Sequence, residues 1–472
     1  MTPPEVAPIV PEPQHSDVGW LAASKPSTQL PRILGLRDLI FLVIGTVIGS
    51  GIFLVPGFVL RPVGNSVAVA MIVWLTGGVL SLLGALTYGE LTAMRPEAGG
   101  LYIFIRETFG PLLAFLYGWT LFFVISSGSV ATLAVAFSNY LSEFMPLSPW
   151  VAKLVSVLTI LAIAIVNVRG TRQSADLQNI TTVIKVSAIF VMSVVLLWLG
   201  NNPVLSPRAT SGSGQAGSLL TGFGLAMISV LWAYEGWQYA TFSAGESVNP
   251  QRDFPRAFLI GTAALIGIYL FANLGYLAAI GPEGVAGSNR VAITAVAAIM
   301  GPNVAKLVGL TILISILGAA NSIILTAPRV YYAMARDGLF FKRLSEVHPR
   351  FGTPAFAVIG AAIWSAVLAA SGTFEQLLTY VIFIGWIFYA LAAASVFVYR
   401  KRAPNAIRPY RVPGYPFTPI VFIAAAMVLV VNTVATEPGR SAVGLGIVCL
   451  GIPAYVIWHR MAKGKNLEDT TK

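Results

Sequence analysis

About twelve stretches of this chain are apolar over roughly twenty residues each, and that recurrence leaves few folds open. An α-helix needs ~20 residues to cross the hydrocarbon core of a bilayer. Inside that core every backbone N–H and C=O has to find its partner within the protein. The stretches fall near 36–61, 67–94, 112–140, 150–167, 179–199, 218–245, 255–279, 303–332, 355–371, 376–399, 417–435 and 441–459. Only 10% of the residues are charged, whereas a soluble domain carries ~25%. The reading is an all-α membrane protein with about 12 transmembrane helices.

The formal charge of +11 does not point to nucleic acid. Most Lys and Arg lie in short connections between apolar segments, and no basic run is interleaved with aromatics on a polar surface. Alternate connections are rich in them, among these Arg95, Arg106, Arg169, Arg172, Arg252, Arg256, Arg329, Arg336, Arg400, Lys401 and Arg402. The positive-inside rule therefore places both termini in the cytoplasm and the protein in a cell membrane as a multi-pass chain. The first ~30 residues are Pro-rich and lack an apolar h-region, so they read as a disordered tail and no cleavable signal peptide is expected. Cys449 is the single cysteine and the histidines are His15, His348 and His459. That inventory excludes the common zinc and iron–sulfur sites, so no metal or cofactor is expected, nor an enzyme's nucleophile–base pair.

Segments one and six differ from the rest. Segment one, LIFLVIGTVIGSGIFLVPGFV, carries Gly45, Gly49, Gly51, Pro56 and Gly57. Segment six, LAMISVLWAYEGWQYATFSAGE, carries Glu235-Gly236 at its centre. Glycines in a span can simply let helices pack closely. Interruptions at matched positions of two five-segment halves, one of them bearing a carboxylate, instead indicate an inverted-repeat transporter with its site at the breaks.

Around Gly49-Ser50-Gly51 the outer half of segment one would begin, with free N–H groups and the positive end of a helix dipole suited to a carboxylate. The inner half would end near Thr46-Val47-Ile48, and the first half of segment six near Trp232-Ala233-Tyr234. Those ends offer carbonyls suited to an ammonium group. Together they fit a zwitterion one α-carbon wide, the invariant part of an amino acid. A channel or membrane sensor with the same helix count would not need such polar breaks in both halves.

The motif GTVIGSGIFLVPG resembles the first-helix signature of the amino acid–polyamine–organocation superfamily, and within it the L-type amino acid transporter branch. YGELTAMRPEAGGLYIFIRETFG, LWAYEGWQYATFSAGESVNPQRDFPRA, ARDGLFFKRLSEVHPRFGTP and RPYRVPGYPFTPI continue the resemblance in order. It implies a five-plus-five inverted repeat with broken helices one and six and two further C-terminal helices. The corresponding division is a tail at 1–31, a first repeat at 32–200, a second at 201–402, helices eleven and twelve at 403–460, and a tail at 461–472. It implies a secondary amino acid transporter, exchanger or proton symporter, working by alternating access. Eukaryotic L-type relatives pair with a glycoprotein through a cysteine between helices three and four. LSEFMPLSPW at 141–150 has none, so no disulfide-linked subunit is expected.

By the same resemblance, Ser50 and Gly51 bind the substrate carboxylate, with Thr46, Val47 and Gly49 lining the break. Carbonyls of Val47, Trp232 and Glu235 receive the amine beside Ala233, and the Trp232 ring covers the substrate unless it is only a packing tryptophan. Glu235 stands where L-type relatives usually have glycine. A carboxylate at mid-membrane is a functional candidate, here for substrate attraction or a coupled proton, and it favours a cationic amino acid or polyamine as the second substrate reading. It equally suits a cap on the second half-helix. Lys185, the one basic residue inside a span, either snorkels to the inner interface or occupies the place of a sodium ion. In the second case its expected neighbours are Gly45, Ile48, Leu317 and Asn321, and transport is sodium-independent. Ser126, Ser127 and Ser129 read as helix packing rather than cavity lining, and Glu90 and Glu97 as partners of loop arginines.

Overall fold

The computed structural model describes residues 30–142, 144–203, 216–371, 374–436 and 438–469, so 1–29 and 470–472 of the two expected tails lie outside the description. The described residues are helical apart from loops and one isolated bridge between Leu34 and Ser247. Segment one is two helices, α1 (Leu36–Val47) and α2 (Gly51–Leu60), bent by 48° where they meet. Segment two is α3 (Val67–Met94), and a short α4 (Leu101–Phe109) follows on the connector. Segment three runs through α5 (Pro111–Thr120), a π-turn at Leu121–Ile125 and α6 (Ser126–Leu141). Segments four and five are α7 (Pro149–Arg169) and α8 (Thr171–Leu199).

The second half repeats the pattern. Segment six is α9 (Ala216–Ala233), a break, and a 3-10 helix over Trp237–Glu246. Segment seven is α10 (Pro250–Gly287), followed by α11 (Val291–Met300), a short helix that the apolar count did not anticipate. Segment eight is α12 (Pro302–Thr326) continued by α13 (Pro328–Arg336). Then come α14 (Ala355–Ser371), α15 (Phe374–Arg402), α16 (Phe417–Thr436) and α17 (Pro438–Asp469). Eight of the described helical stretches are long and apolar enough to cross a membrane unaided, and the bent α1–α2 pair makes a ninth.

Local sequence explains these boundaries. Segments three and eight start alike: Gly110 (φ 95°) precedes Pro111, and Gly301 (φ 85°) precedes Pro302. Glycine takes the left-handed turn into the helix, and proline at the first helical position lacks only an N–H that would have been unbonded anyway. Ser148 caps α7 by accepting from the Val151 N–H.

Large apolar side chains such as Trp198, Val428 and Leu450 stay exposed on the rim, as lipid-facing residues do. The centre is built from α1, α3, α8, α10 and α12. The largest difference from the sequence reading lies in segment five. Its helix begins at Thr171, eight residues before the apolar run, because Thr171, Ser174 and Gln178 point into the protein and are buried. Lys185 therefore sits fourteen residues into α8, ~21 Å at 1.5 Å per residue, in the middle of the span.

Candidate functional site

The two breaks face each other across a cavity lined by all eight expected residues of segments one and six: Thr46, Val47, Gly49, Ser50, Gly51, Trp232, Ala233 and Glu235. Gly236, Tyr239, Ser129, Thr132, Leu133, Ala319 and Ile323 complete its wall. Close packing requires the glycines. A Cβ on Gly51 would stand 3.2 Å from the Cα of Ala233, and one on Gly236 (φ 126°) would stand 3.0 Å from Thr46. Of the three helix-three serines only Ser129 reaches the cavity; Ser126 bonds the Tyr331 hydroxyl, and Ser127 is buried elsewhere.

A helix end leaves its last carbonyls without partners, and at the end of α1 side chains from three other segments supply them. The Lys185 ammonium donates to Gly45 O (2.6 Å) and Ile48 O (2.7 Å). Ser315 Oγ lies 3.0 Å from Ile48 O and 2.9 Å from Gly49 O. The Tyr269 hydroxyl lies 3.2 Å from Val47 O and 3.0 Å from Ala233 O, joining the two breaks. The opposite situation holds at the start of α2. Its N-cap, Ser50, makes no side-chain capping bond, so the first N–H groups of α2 lie beside the cavity without a side-chain acceptor. That arrangement suits an anion.

Lys185 is fully buried, which removes the snorkelling alternative. From α12, Gly318 comes close: a Cβ there would lie 3.3 Å from Nζ. The two expected neighbours on α12 have the following surroundings. Leu317 packs half-buried against the core. The Asn321 amide is held by Asn167, the Ser174 carbonyl and Gln178. On α8, Lys185 lies about two turns beyond Gln178, the nearer of the residues that meet Asn321.

The Glu235 carboxylate accepts from the Tyr389 hydroxyl of α15 at 2.9 Å. At the head of the 3-10 helix that follows, the Gly236 N–H donates to Gln238 Oε1 at 3.0 Å. Trp232 is half-buried, its ring 3.7 Å from where a Gly51 Cβ would stand.

On the arginine-rich side of the cavity lies a sealed polar layer that the sequence reading missed. Arg329 donates to Glu246 through Nε (2.6 Å) and Nη2 (2.8 Å), and Thr171 joins both partners; both charged side chains are 0% exposed. Nearby, Arg172 and Asn179 hold Asp38. The backbone of Ile33 and Leu34 donates to Glu246 O, and Val248 N–H donates to Leu34 O. Glu90 takes Arg400 at 2.6 Å and the Val412 N–H at 2.7 Å. Glu97 lines a second, polar pocket on this face with Arg32, Arg106 and Arg336.

Residues 34–452 match the amino acid permease family. The serine/threonine exchanger SteT of Bacillus subtilis is 33% identical over 430 residues, which is 90% of this chain and 96% of that protein. The human cystine/glutamate transporter is 32% identical over 441 residues, covering 92% of this chain and 87% of its own. The human large neutral amino acids transporter small subunit 2 is 30% identical over 446 residues, covering 92% and 82%. With the match running through both broken segments and into α17, this chain belongs to the amino acid permease family.

Proposed function

We propose that the protein is a secondary transporter that carries amino acids across a cell membrane by alternating access, without sodium, as an exchanger or a proton symporter. The observation that carries the reading is the uncapped N-terminus of α2 beside the cavity. It offers backbone donors to an α-carboxylate within a wall that also holds the α9 break and Glu235. The relatives named above are an exchanger and two transporters, in keeping with this. The orientation proposed puts the arginine-rich face and both termini in the cytoplasm, with repeats at 32–200 and 201–402. The chain acts without a disulfide-linked subunit, a cofactor or a catalytic centre.

Glu235 favours a second substrate reading. Among the described residues it is the one acidic or basic side chain lining the cavity, so a cationic amino acid or polyamine would find a counter-charge there. Uptake of one labelled amino acid into proteoliposomes, competed by each of the twenty and by polyamines in turn, separates the readings. Competition confined to arginine, lysine and polyamines would select the second; no saturable uptake of any of them would refute both.

Two variants test the site. Gly51→Val places a branched side chain against the Ala233 backbone, where even a Cβ is crowded. It should lower uptake at least tenfold with membrane insertion retained, and unchanged affinity would mean the carboxylate binds elsewhere. Glu235→Gln keeps shape and hydrogen bonding to Tyr389 but cannot ionise. Buried carboxylates can titrate well above their usual range, so wild-type uptake should vary between about pH 5 and 8 and the variant's should be flat. Identical profiles would leave Glu235 a structural residue.

A further inference from the structure

The second half of segment six is an unusual element. Trp237–Glu246 is ten consecutive residues of 3-10 helix, whereas such runs rarely exceed 3–4 residues and a longer one often marks a hinge. Its first turn borders the cavity through Gly236 and Tyr239. Its last borders the polar pocket of the arginine-rich face through Gly245. The segment is thus the wall between the two spaces, and it is pinned at both ends. Gly236 lies against Thr46, and Glu246 is clasped by Arg329 and Thr171.

The segment's polar groups are poorly served. Gln238 Nε2, Ser243 Oγ and Ser247 Oγ are buried and have no hydrogen-bond partner among the described residues. Several buried serines on the α-helices return their hydroxyls to the carbonyl four residues back, among them Ser81 to Gly77, Ser193 to Ile189 and Ser365 to Ala361, whereas Thr241 inside the 3-10 segment reaches Gln238 O three residues back. A 3-10 helix turns 120° per residue and rises 2.0 Å, so position i−4 is out of register. In an α-helix turning 100° and rising 1.5 Å, Ser243 Oγ would meet Tyr239 O.

We propose that Trp237–Glu246 is a switch that exchanges 3-10 for α-helix when the arginine-rich side of the protein opens. The exchange shortens ten residues by about 5 Å and turns Glu246 by roughly 180° relative to Gly236. With Gly236 fixed at the cavity, Glu246 cannot then stay on Arg329. The 3-10 form goes with the closed ion pair, and the α form goes with a satisfied Ser243 and a broken one. The switch thereby couples the cavity to the far seal within one stretch of chain. It rests on the transport reading only in making the two forms steps of a cycle.

The test uses the full chain in lipid nanodiscs with Cys449→Ala as background and spin labels at Val248→Cys and Gln173→Cys, both exposed on the arginine-rich face. Glu246→Gln weakens the clasp. It should add a second distance population displaced by about 5 Å, together with altered amide exchange inside 237–246. Adding Ser243→Ala removes the hydroxyl satisfied only in the α form and should reduce that population severalfold. A displaced population with unaltered exchange inside the segment would mean a rigid swing and overturn the proposal. So would a ratio indifferent to Ser243→Ala, or no second population. Thr171→Val loosens the same carboxylate more gently and serves if Glu246→Gln does not fold. None of these readouts requires uptake, so loss of the transport reading would leave them interpretable.

Discussion

Lys185→Ala should reduce uptake tenfold or more, although Lys185 does not line the cavity. Its ammonium holds Gly45 O and Ile48 O at 2.6 and 2.7 Å, and a hydrogen bond to a charged group contributes ~1.5–3 kcal/mol. A factor of ten in an equilibrium is ~1.4 kcal/mol, so losing the pair shifts the position of α1 against α8 by at least that factor. Alanine also leaves two buried carbonyls with fewer donors. Replacing sodium with choline should leave wild-type uptake unchanged. A sodium ion 4 Å from the ammonium would meet repulsion of ~4 kcal/mol at an effective dielectric of 20. Strong sodium stimulation of the wild type, or normal turnover in the alanine variant, would contradict this role for Lys185.

Arg329→Met should cost more in stability than any other single change discussed above. As long as the 3-10 form persists, Glu246 would be left at 0% exposure with the Thr171 hydroxyl but no cation against it, and breaking a buried ion pair from one side costs ~3–5 kcal/mol. The expected result is a large fall in the thermal midpoint or failure to purify as a monodisperse protein. Arg329→Met combined with Glu246→Leu removes both charges. Because replacing a buried pair with apolar groups is often neutral or stabilising, the double variant should regain the wild-type midpoint while exchanging substrate abnormally. A single variant as stable as the wild type would show that water reaches Glu246 in the resting protein.

The sequence revealed some of these features and hid others for identifiable reasons. The breaks were visible because helix-interrupting glycines and a carboxylate stand inside apolar runs, where nothing else explains them. The start of α8 was not. Thr171, Ser174 and Gln178 look like a loop to a hydropathy window but form a buried polar stripe facing α1, α12 and α13. Misplacing that boundary by eight residues put Lys185 near an interface that it does not reach. The Glu246–Arg329 pair joins residues 83 apart that look like ordinary inner-face charges. Tyr269 and Tyr389 were equally hidden, since one tyrosine among sixteen carries no mark of where its hydroxyl points.

The clasped end of α1 also bears on how the chain is made. Its carbonyls wait for Lys185, which lies 137 residues beyond Ile48, for Tyr269, 222 beyond Val47, and for Ser315, 267 beyond Ile48. At ribosomal rates of 5–20 residues per second, the last of these leaves the ribosome roughly 13–50 s after the break it completes. During that interval the nascent first span carries bare carbonyl groups at mid-bilayer depth, where lipid offers no donor. The insertion machinery must therefore keep this helix in contact with water or protein until segment eight arrives, and the first half cannot reach its native form before much of the second has been synthesised.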